Sequence, residues 1–255
     1  MTQPTGGRPR VVLVDDDATI RRFVGLVLED LAVDFVPCAD AAAARAALRE
    51  APAALLLTDL MMPGEDGFSL LASLQADPAL RGPARLAVFS AGLNAQTRAR
   101  LQGLDIWREL DKPVSAAALE ACVAEAAGLA ADTPAAPALA SGSGTAPGLS
   151  PAEQRAVAEQ FGGDLALYLA FRAQARQQFA ADRLALARAL VAQDWPATHR
   201  QAHSLKGALA TLGDAPGAHH ARTLEACAAR QDAEASRAAW SALDRHLETL
   251  LHSHP

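Results

Sequence analysis

The stretch RVVLVDDD, residues 10–17, decides how the first half of the chain folds. Val11, Val12, Leu13 and Val14 make an apolar run too short for a buried helix and rich in β-branched side chains, the pattern of a strand covered on both faces. The run stops abruptly on three aspartates, and helical spacing follows from Ala18 to Leu31. The same alternation recurs. Strands are expected at Val33–Val36, Ala54–Thr58, Ala84–Phe89 and, more weakly, Asp105–Leu110. Helices are expected at Ala39–Glu50, Phe68–Ala76, Asn94–Gln102 and Ser115–Ala127. Short apolar strands alternating with helices predict an α/β unit with a parallel sheet covered on both faces. In such a sheet the ligand site lies at the carboxyl ends of the strands.

Those ends carry the polar residues. Asp15 and Asp16 follow the first strand, Asp59 the third, Ser90 the fourth and Lys112 the fifth. With the first strand central, these side chains converge on one edge. Clustered carboxylates repel one another, so the pattern implies a divalent cation, and Mg2+ suits a few carboxylates, water and phosphate oxygens. Asp59 is then the nucleophile that takes a phosphoryl group, with Ser90 and Lys112 donating to the phosphoryl oxygens. Asp17, next to Ala18, is read as a helix cap.

Residues 128–148, GLAADTPAAPALASGSGTAPG, show no periodicity and are rich in Pro, Ala, Ser and Gly, as in a flexible linker. They divide the chain into expected domains at 8–127 and 149–253. After them the period is helical throughout. Ser150-Pro151-Ala152-Glu153 is a helix start with a cap, a first-turn proline and an N3 acid. A long helix follows from about Asp164, carrying Leu165, Tyr168, Leu169, Phe171 and Phe179, with a break or bend expected near Ala181-Asp182. Asp194-Trp195-Pro196 starts the next. Ala215 to Gly217 (APG) is expected to break the chain before helices at His219–Arg230 and Asp232–Leu251. Antiparallel packing of the four long helices predicts an all-α four-helix bundle.

Within it, Ala202 to Gly213 (AHSLKGALATLG) sets His203, Lys206 and Gly207 on one helix face, at i, i+3 and i+4. The core stripe reads Ala202, Leu205, Leu209 and Leu212. His203 is expected beside it, open to head-on approach by a second protein across the bare backbone at Gly207. Lysine usage singles out both sites. Of 23 basic Lys and Arg residues, only Lys112 and Lys206 are lysines, which marks positions needing a compact point charge.

The 255 residues suffice for two domains. A formal charge of −6 and the lack of a basic stripe argue against nucleic acid as a partner. Cys38, Cys122 and Cys227 lie far apart without metal-ligand spacing, as in a reducing cytoplasm. No charge-free apolar stretch approaches membrane-spanning length and no signal-peptide core is present, so neither membrane insertion nor secretion is expected. Met1 with its short polar leader reads as a self-contained start, although the tail of a hybrid sensor kinase would look similar. His199 and His203 stand at i, i+4 without a convincing third metal ligand, and His219, His220, His246, His252 and His254 read as solvated.

VVLVDDDATIRR, LLLTDLMMPGEDG, VFSAG and LDKPV, all in order between Arg10 and Ala127, resemble the receiver domain of two-component response regulators. The resemblance implies a flavodoxin-like, five-stranded parallel sheet of order 2-1-3-4-5. It implies Asp59 as phosphoacceptor, Asp15 and Asp16 as the acidic pair, and Met61 as the residue lending a backbone carbonyl to Mg2+. Ser90 and Lys112 are similar to the switch hydroxyl and the catalytic lysine. Three residues before that lysine the family often has a switching aromatic. Here stands Glu109, in a charged fifth strand, so a small conformational response centred on Ser90 is expected. AHSLKG with the later Gly213 resembles the signature of a histidine-containing phosphotransfer (HPt) domain, and FGGDLALYLAFRAQARQQF and TLEAC its flanking helices. This implies His203 as the phosphorylated residue, Lys206 as the lysine that steadies the phosphoryl group, and Gly207 as the glycine that leaves room for docking. Glu225 is the candidate for a second polar contact.

Without an ATP-binding kinase core, the expected function is a cytoplasmic, bacterial phosphorelay intermediate. Asp59 accepts a phosphoryl group and loses it by autodephosphorylation, and His203 exchanges phosphoryl groups with other two-component proteins. The partners expected are a sensor histidine kinase and an upstream or downstream receiver. The alternative is a receiver that only regulates docking, while His203 serves another receiver or acts as a phosphoryl sink.

Overall fold

The computed structural model describes residues 7–91, 93–129 and 148–252, and the chain divides into two compact units, Met1–Thr145 and Ala146–Pro255. The expected linker at 128–148 falls almost wholly outside the described residues.

The first unit runs β1 (Arg10–Val14), α1 (Ala18–Val27), β2 (Asp34–Cys38), α2 (Ala41–Glu50), β3 (Leu55–Thr58), α3 (Gly67–Ala76), α4 (Pro78–Arg81), β4 (Arg85–Ser90), α5 (Ala95–Leu101), β5 (Arg108–Asp111) and α6 (Ala116–Ala127). All strand pairs are parallel and the order is β2-β1-β3-β4-β5, the flavodoxin-like arrangement. The interior strands are the apolar ones, and Val11 to Val14 and Leu55 to Leu57 have no exposed surface. The edge strands carry Asp34 and Pro37 on one side and Arg108, Glu109 and Asp111 on the other, which discourages pairing with a further strand.

Most helices begin on a side chain that accepts from a free first-turn N–H, among them Asp17, Asp40, Asp66, Asn94 and Ser115. Two expectations change. α1 stops at Val27 instead of Leu31, because Leu28 and Val33 both turn into the core as the chain returns to the sheet. The single turn α4, not expected from the sequence, is started by the Asp77 cap and Pro78.

The second unit comprises α7 (Pro151–Gln160), α8 (Leu165–Val191), α9 (Trp195–Thr211), α10 (Ala215–Ala229) and α11 (Ala233–His252). α9 packs on α8 and α10, and α11 on α10 and α8, giving an all-α bundle of four long helices. α7 has the full capping box between Ser150 and Glu153 and lies over the α9–α10 turn. A Cβ on Gly213 there, at φ +79°, would fall 2.8 Å from the Ala152 carbonyl oxygen. Tyr168, Phe171, Phe179, Leu205, Leu209, Leu224, Leu243 and Leu247 form the core.

The expected break at Ala181-Asp182 does not occur. α8 is continuous over 27 residues, because Asp182 accepts from Gln178 one turn back at 2.8 Å, and Arg183 pairs with Asp244 of α11 at 2.6 Å. Ala215 to Gly217 is likewise no break but the first turn of α10, capped by Asp214. A proline there loses no hydrogen bond, since first-turn N–H groups have no helical acceptor. Among the described residues no helix is long and apolar enough to cross a membrane.

Candidate functional site

In the first unit the carboxyl ends of β1, β3, β4 and β5 bring Asp15, Asp59, Ser90 and Lys112 together. Asp59 follows β3 and donates its N–H to the Val14 carbonyl at 2.8 Å, so β1 and β3 set the acids side by side. Its Oδ1 accepts from the Ser90 hydroxyl at 2.6 Å and from the N–H groups of Leu60 and Met61 at 2.5 and 3.2 Å. Its Oδ2 accepts from Lys112 Nζ at 3.0 Å. The same ammonium donates to Asp15 Oδ2 at 2.5 Å. Asp17 is not part of this group, since its carboxylate caps α1 through the Thr19 N–H at 2.7 Å.

Carboxylate oxygens of Asp15, Asp16 and Asp59 lie within 4.8 Å of one another. Burial, reinforced by the Asp59 charge and only partly offset by Lys112, pushes the Asp15 carboxyl up to about 7. Asp16 keeps much of its surface in solvent, yet protein packed around its head group and the Asp59 charge raise it to about 6. Burial opposes the charge on Lys112, but the two carboxylates beside it outweigh burial and raise its pKa. Three crowded acids with one lysine are short of positive charge. Hard oxygen donors in that state fit a hard divalent cation of the Mg2+ type.

One residue shaping this site carried no signal of its own in the sequence. A Cβ on Gly67 would lie 2.0 Å from the Asp59 carbonyl oxygen, so only glycine lets α3 start directly against the backbone of Asp59. Beside the site, Glu109 on β5 is paired with Arg98 of α5 at 3.0 Å, both partly in solvent. Arg100 of α5 pairs with Asp66, the cap of α3, and lies 3.6 Å from the Phe68 ring centroid.

In the second unit α9 carries His203, Lys206 and Gly207, and α10 brings Glu225 against them. His203 Nδ1 is 2.5 Å from Glu225 Oε1. Lys206 Nζ donates to Glu225 Oε1 and Oε2 at 3.0 and 2.8 Å, shorter than its 3.3 Å approach to His203 Nδ1. The ammonium therefore belongs to the carboxylate, and Nδ1 is the proton-bearing nitrogen that donates to it. In the neutral ring this leaves the lone pair on Nε2. Burial works against the Glu225 charge, but hydrogen bonds from His203 and Lys206 hold its carboxyl down at about 2. The expectation of an open histidine is corrected: His203 is only 8% exposed, because its ring is drawn toward Glu225 in the seam between α9 and α10. A Cβ on Gly207 would meet nothing within 4 Å, so the chain's own packing does not require glycine there. A cavity of about 490 Å³ in the same unit lies at the turn between α9 and α10, and its Arg172 is engaged with Glu153.

Residues 11–124 match the family described as response regulator receiver domain, and residues 170–253 that described as Hpt domain. The chain thus carries a receiver domain followed by an Hpt domain, a two-component phosphorelay architecture. Among known proteins it is similar to the DNA-binding response regulator MtrA of Mycobacterium tuberculosis, strain H37Rv, at 37% identity over 70 residues, 28% of this chain and 31% of that protein. It is also similar to the sensor protein GacS of Pseudomonas syringae pv. syringae, at 33% identity over 131 residues, 50% of this chain and 14% of that protein. The chain thus spans about a third or less of the length of these two relatives. A response regulator receiver protein from Pseudomonas putida superposes with a TM-score of 0.44 at 29% identity, covering 48% of this chain and 99% of that one. Architecture and relatives together support a role in phosphorelay signalling.

Proposed function

We propose that the chain is a phosphorelay intermediate in which Asp59 accepts a phosphoryl group from a kinase phosphohistidine and His203 carries phosphoryl groups to or from a receiver aspartate. The observation that supports this most is the pairing of two sites in one chain. One is a carboxylate set between Ser90 and Lys112, and the other a histidine whose tautomer is held by Glu225.

At the receiver, an oxygen of Asp59 attacks phosphorus. The new O–P bond forms as the N–P bond to the donor imidazole breaks, and the electron pair stays on that nitrogen. Lys112 faces the negative charge that builds on the phosphoryl oxygens, and Ser90 exchanges its bond to Asp59 for one to a phosphoryl oxygen. A divalent cation held by Asp15, Asp16, Asp59 and the Met61 carbonyl supplies, when bound, further neutralisation of those oxygens.

At the Hpt domain, Nε2 of His203 attacks the phosphorus of a phosphoaspartate as the O–P bond breaks and the carboxylate leaves. The ring becomes cationic, and Glu225 stands at Nδ1 to stabilise that charge. Lys206 balances the carboxylate from the Nδ1 side of the ring. The reverse transfer uses the same geometry, so the phosphorylation levels of the partners set the direction. A sensor histidine kinase and a further receiver, inside the cell, are the partners this chemistry needs. If residues 128–148 are a flexible linker, a tether of that length gives effective concentrations on the order of millimolar between the two sites.

The test follows label from a small acyl phosphate into the intact chain with Mg2+. Label is expected first as base-labile phosphoaspartate, then as acid-labile, base-stable phosphohistidine. Asp59→Ala should block both and His203→Gln only the second. Label entering equally in EDTA, or persisting in Asp59→Ala, refutes the receiver assignment. Histidine label gained only from a separate receiver shows that this receiver is regulatory.

A further inference from the structure

The atom on which the Hpt chemistry turns is shut in. His203 Nε2 has less than 1 Å² of accessible surface and no hydrogen-bond partner. A buried polar atom without a partner is unfavourable, because it has given up its bonds to water. In-line attack needs the nitrogen within about 3–3.5 Å of phosphorus, which a sealed atom does not reach. The resting domain therefore holds its histidine in a closed setting.

Glu225 of α10 holds the Nδ1 side of the ring, and His199 flanks it on α9. The ring of His199, one turn earlier, lies nearly parallel to that of His203, with centroids 6.4 Å apart and planes 17° apart. Helical side chains lean toward the N-terminus and cover the turn before their own Cα, which for His203 is the turn that carries His199. On the Gly207 side there is open space. Burial lowers the pKa of His199, so at neutral pH it rests beside His203 without like-charge repulsion.

We propose that His199 is a gating residue for His203: its ring keeps Nε2 closed in the free domain, and a docking receiver exposes Nε2 by displacing it. The proposal rests on the reading of His203 as the phosphorylated residue and makes His199 a positioning residue, acting through His203 without touching phosphorus. A closed histidine is protected from stray electrophiles, and its reactivity is scaled down by the fraction of time the gate is open.

Diethyl pyrocarbonate tests the gate without any phosphoryl donor. The Nε2 lone pair attacks a carbonyl carbon, an N–C bond forms, and the C–O bond to ethyl carbonate breaks. The displaced ethyl carbonate takes up a proton and decomposes to carbon dioxide and ethanol. Trypsin releases Gln201–Lys206 (QAHSLK), which holds His203 as its sole histidine, so its labelling rate is read directly by mass. In the full chain, His199→Ala is expected to label His203 about tenfold faster than wild type, as for an open fraction near one-tenth. His199→Phe, which keeps a ring, should label at the wild-type rate, and labelling of His246 should not change. A His199→Ala rate within about twofold of wild type overturns the gate. So does His199→Phe labelling as fast as His199→Ala, or His246 accelerating in parallel, which marks general loosening. The relay fails on a different readout, the absence of phosphohistidine in wild type.

Discussion

His203 Nδ1 lies 2.5 Å from Glu225 Oε1, a contact across the seam between α9 and α10 and over 22 residues of chain. It decides which nitrogen of the imidazole carries the proton. It also ties Lys206 into the same group through two further bonds to Glu225.

Replacing this carboxylate should therefore change both chemistry and stability. Glu225→Ala is expected to let the neutral ring populate both tautomers, read from ¹⁵N shifts, and to slow transfer to His203 by about tenfold, the scale of a lost electrostatic contact of 1–2 kcal/mol. Glu225 is held down at about 2 from an ordinary 4.5. Its stabilising contribution is present above the ordinary value and is lost as pH falls through about 2. Glu225→Gln should thus cost about 1–3 kcal/mol at pH 7 and progressively less below pH 4.5, measured by denaturant unfolding of the Hpt transition.

The receiver carboxylates have the opposite sign. Asp15 and Asp16 are raised to about 7 and about 6 from 3.8, so they bind protons more tightly folded than unfolded. Their contribution is full below the ordinary value and lost as pH rises through the raised ones. With EDTA, the melting temperature of the receiver transition should fall by a few degrees between pH 4 and pH 8, and the fall should be smaller in Asp15→Asn. Mg2+ should restore it at pH 8 in wild type, because a cation bound to the ionised acids stabilises the folded state. A pH-independent transition, or equal Mg2+ stabilisation of Asp15→Asn, would count against the cation site.

Glu109 reaches Arg98 of α5 through a half-exposed ion pair, where a buried aromatic would couple the two elements through packing. Such pairs are worth about 0–1 kcal/mol. Glu109→Ala is accordingly expected to change stability by less than 1 kcal/mol and to leave Asp59 phosphorylation unaltered. Amide shifts induced by a phosphoryl mimic should centre on Ser90 and the residues after it. Large shifts across α5 and β5 in wild type, abolished in Glu109→Ala, would show instead that the ion pair transmits the signal.

Much of this arrangement was legible in the sequence, because parallel strands all deliver their carboxyl ends to one edge. Once RVVLV, ALLLT and the fourth and fifth strands are recognised, Asp15, Asp59, Ser90 and Lys112 must meet, and hydrogen bonds between them show that they do. His203, Lys206 and Gly207 share a face for an equally local reason, the helical period. What lay beyond the sequence depended on contacts between distant segments. Whether Asp182 ends α8 or rides through it turns on its bond to Gln178 and on the neighbouring pair between Arg183 and Asp244. Whether Ala215 to Gly217 breaks the chain or starts α10 turns on the cap from Asp214. The demand for glycine at position 67 comes from the backbone of Asp59 pressed against it. The orientation of the His203 ring arises because packing of α10 on α9 draws Nδ1 to Glu225. Periodicity assigns a residue to a face, but only the packed neighbour decides whether an atom on that face is paired, sealed or free.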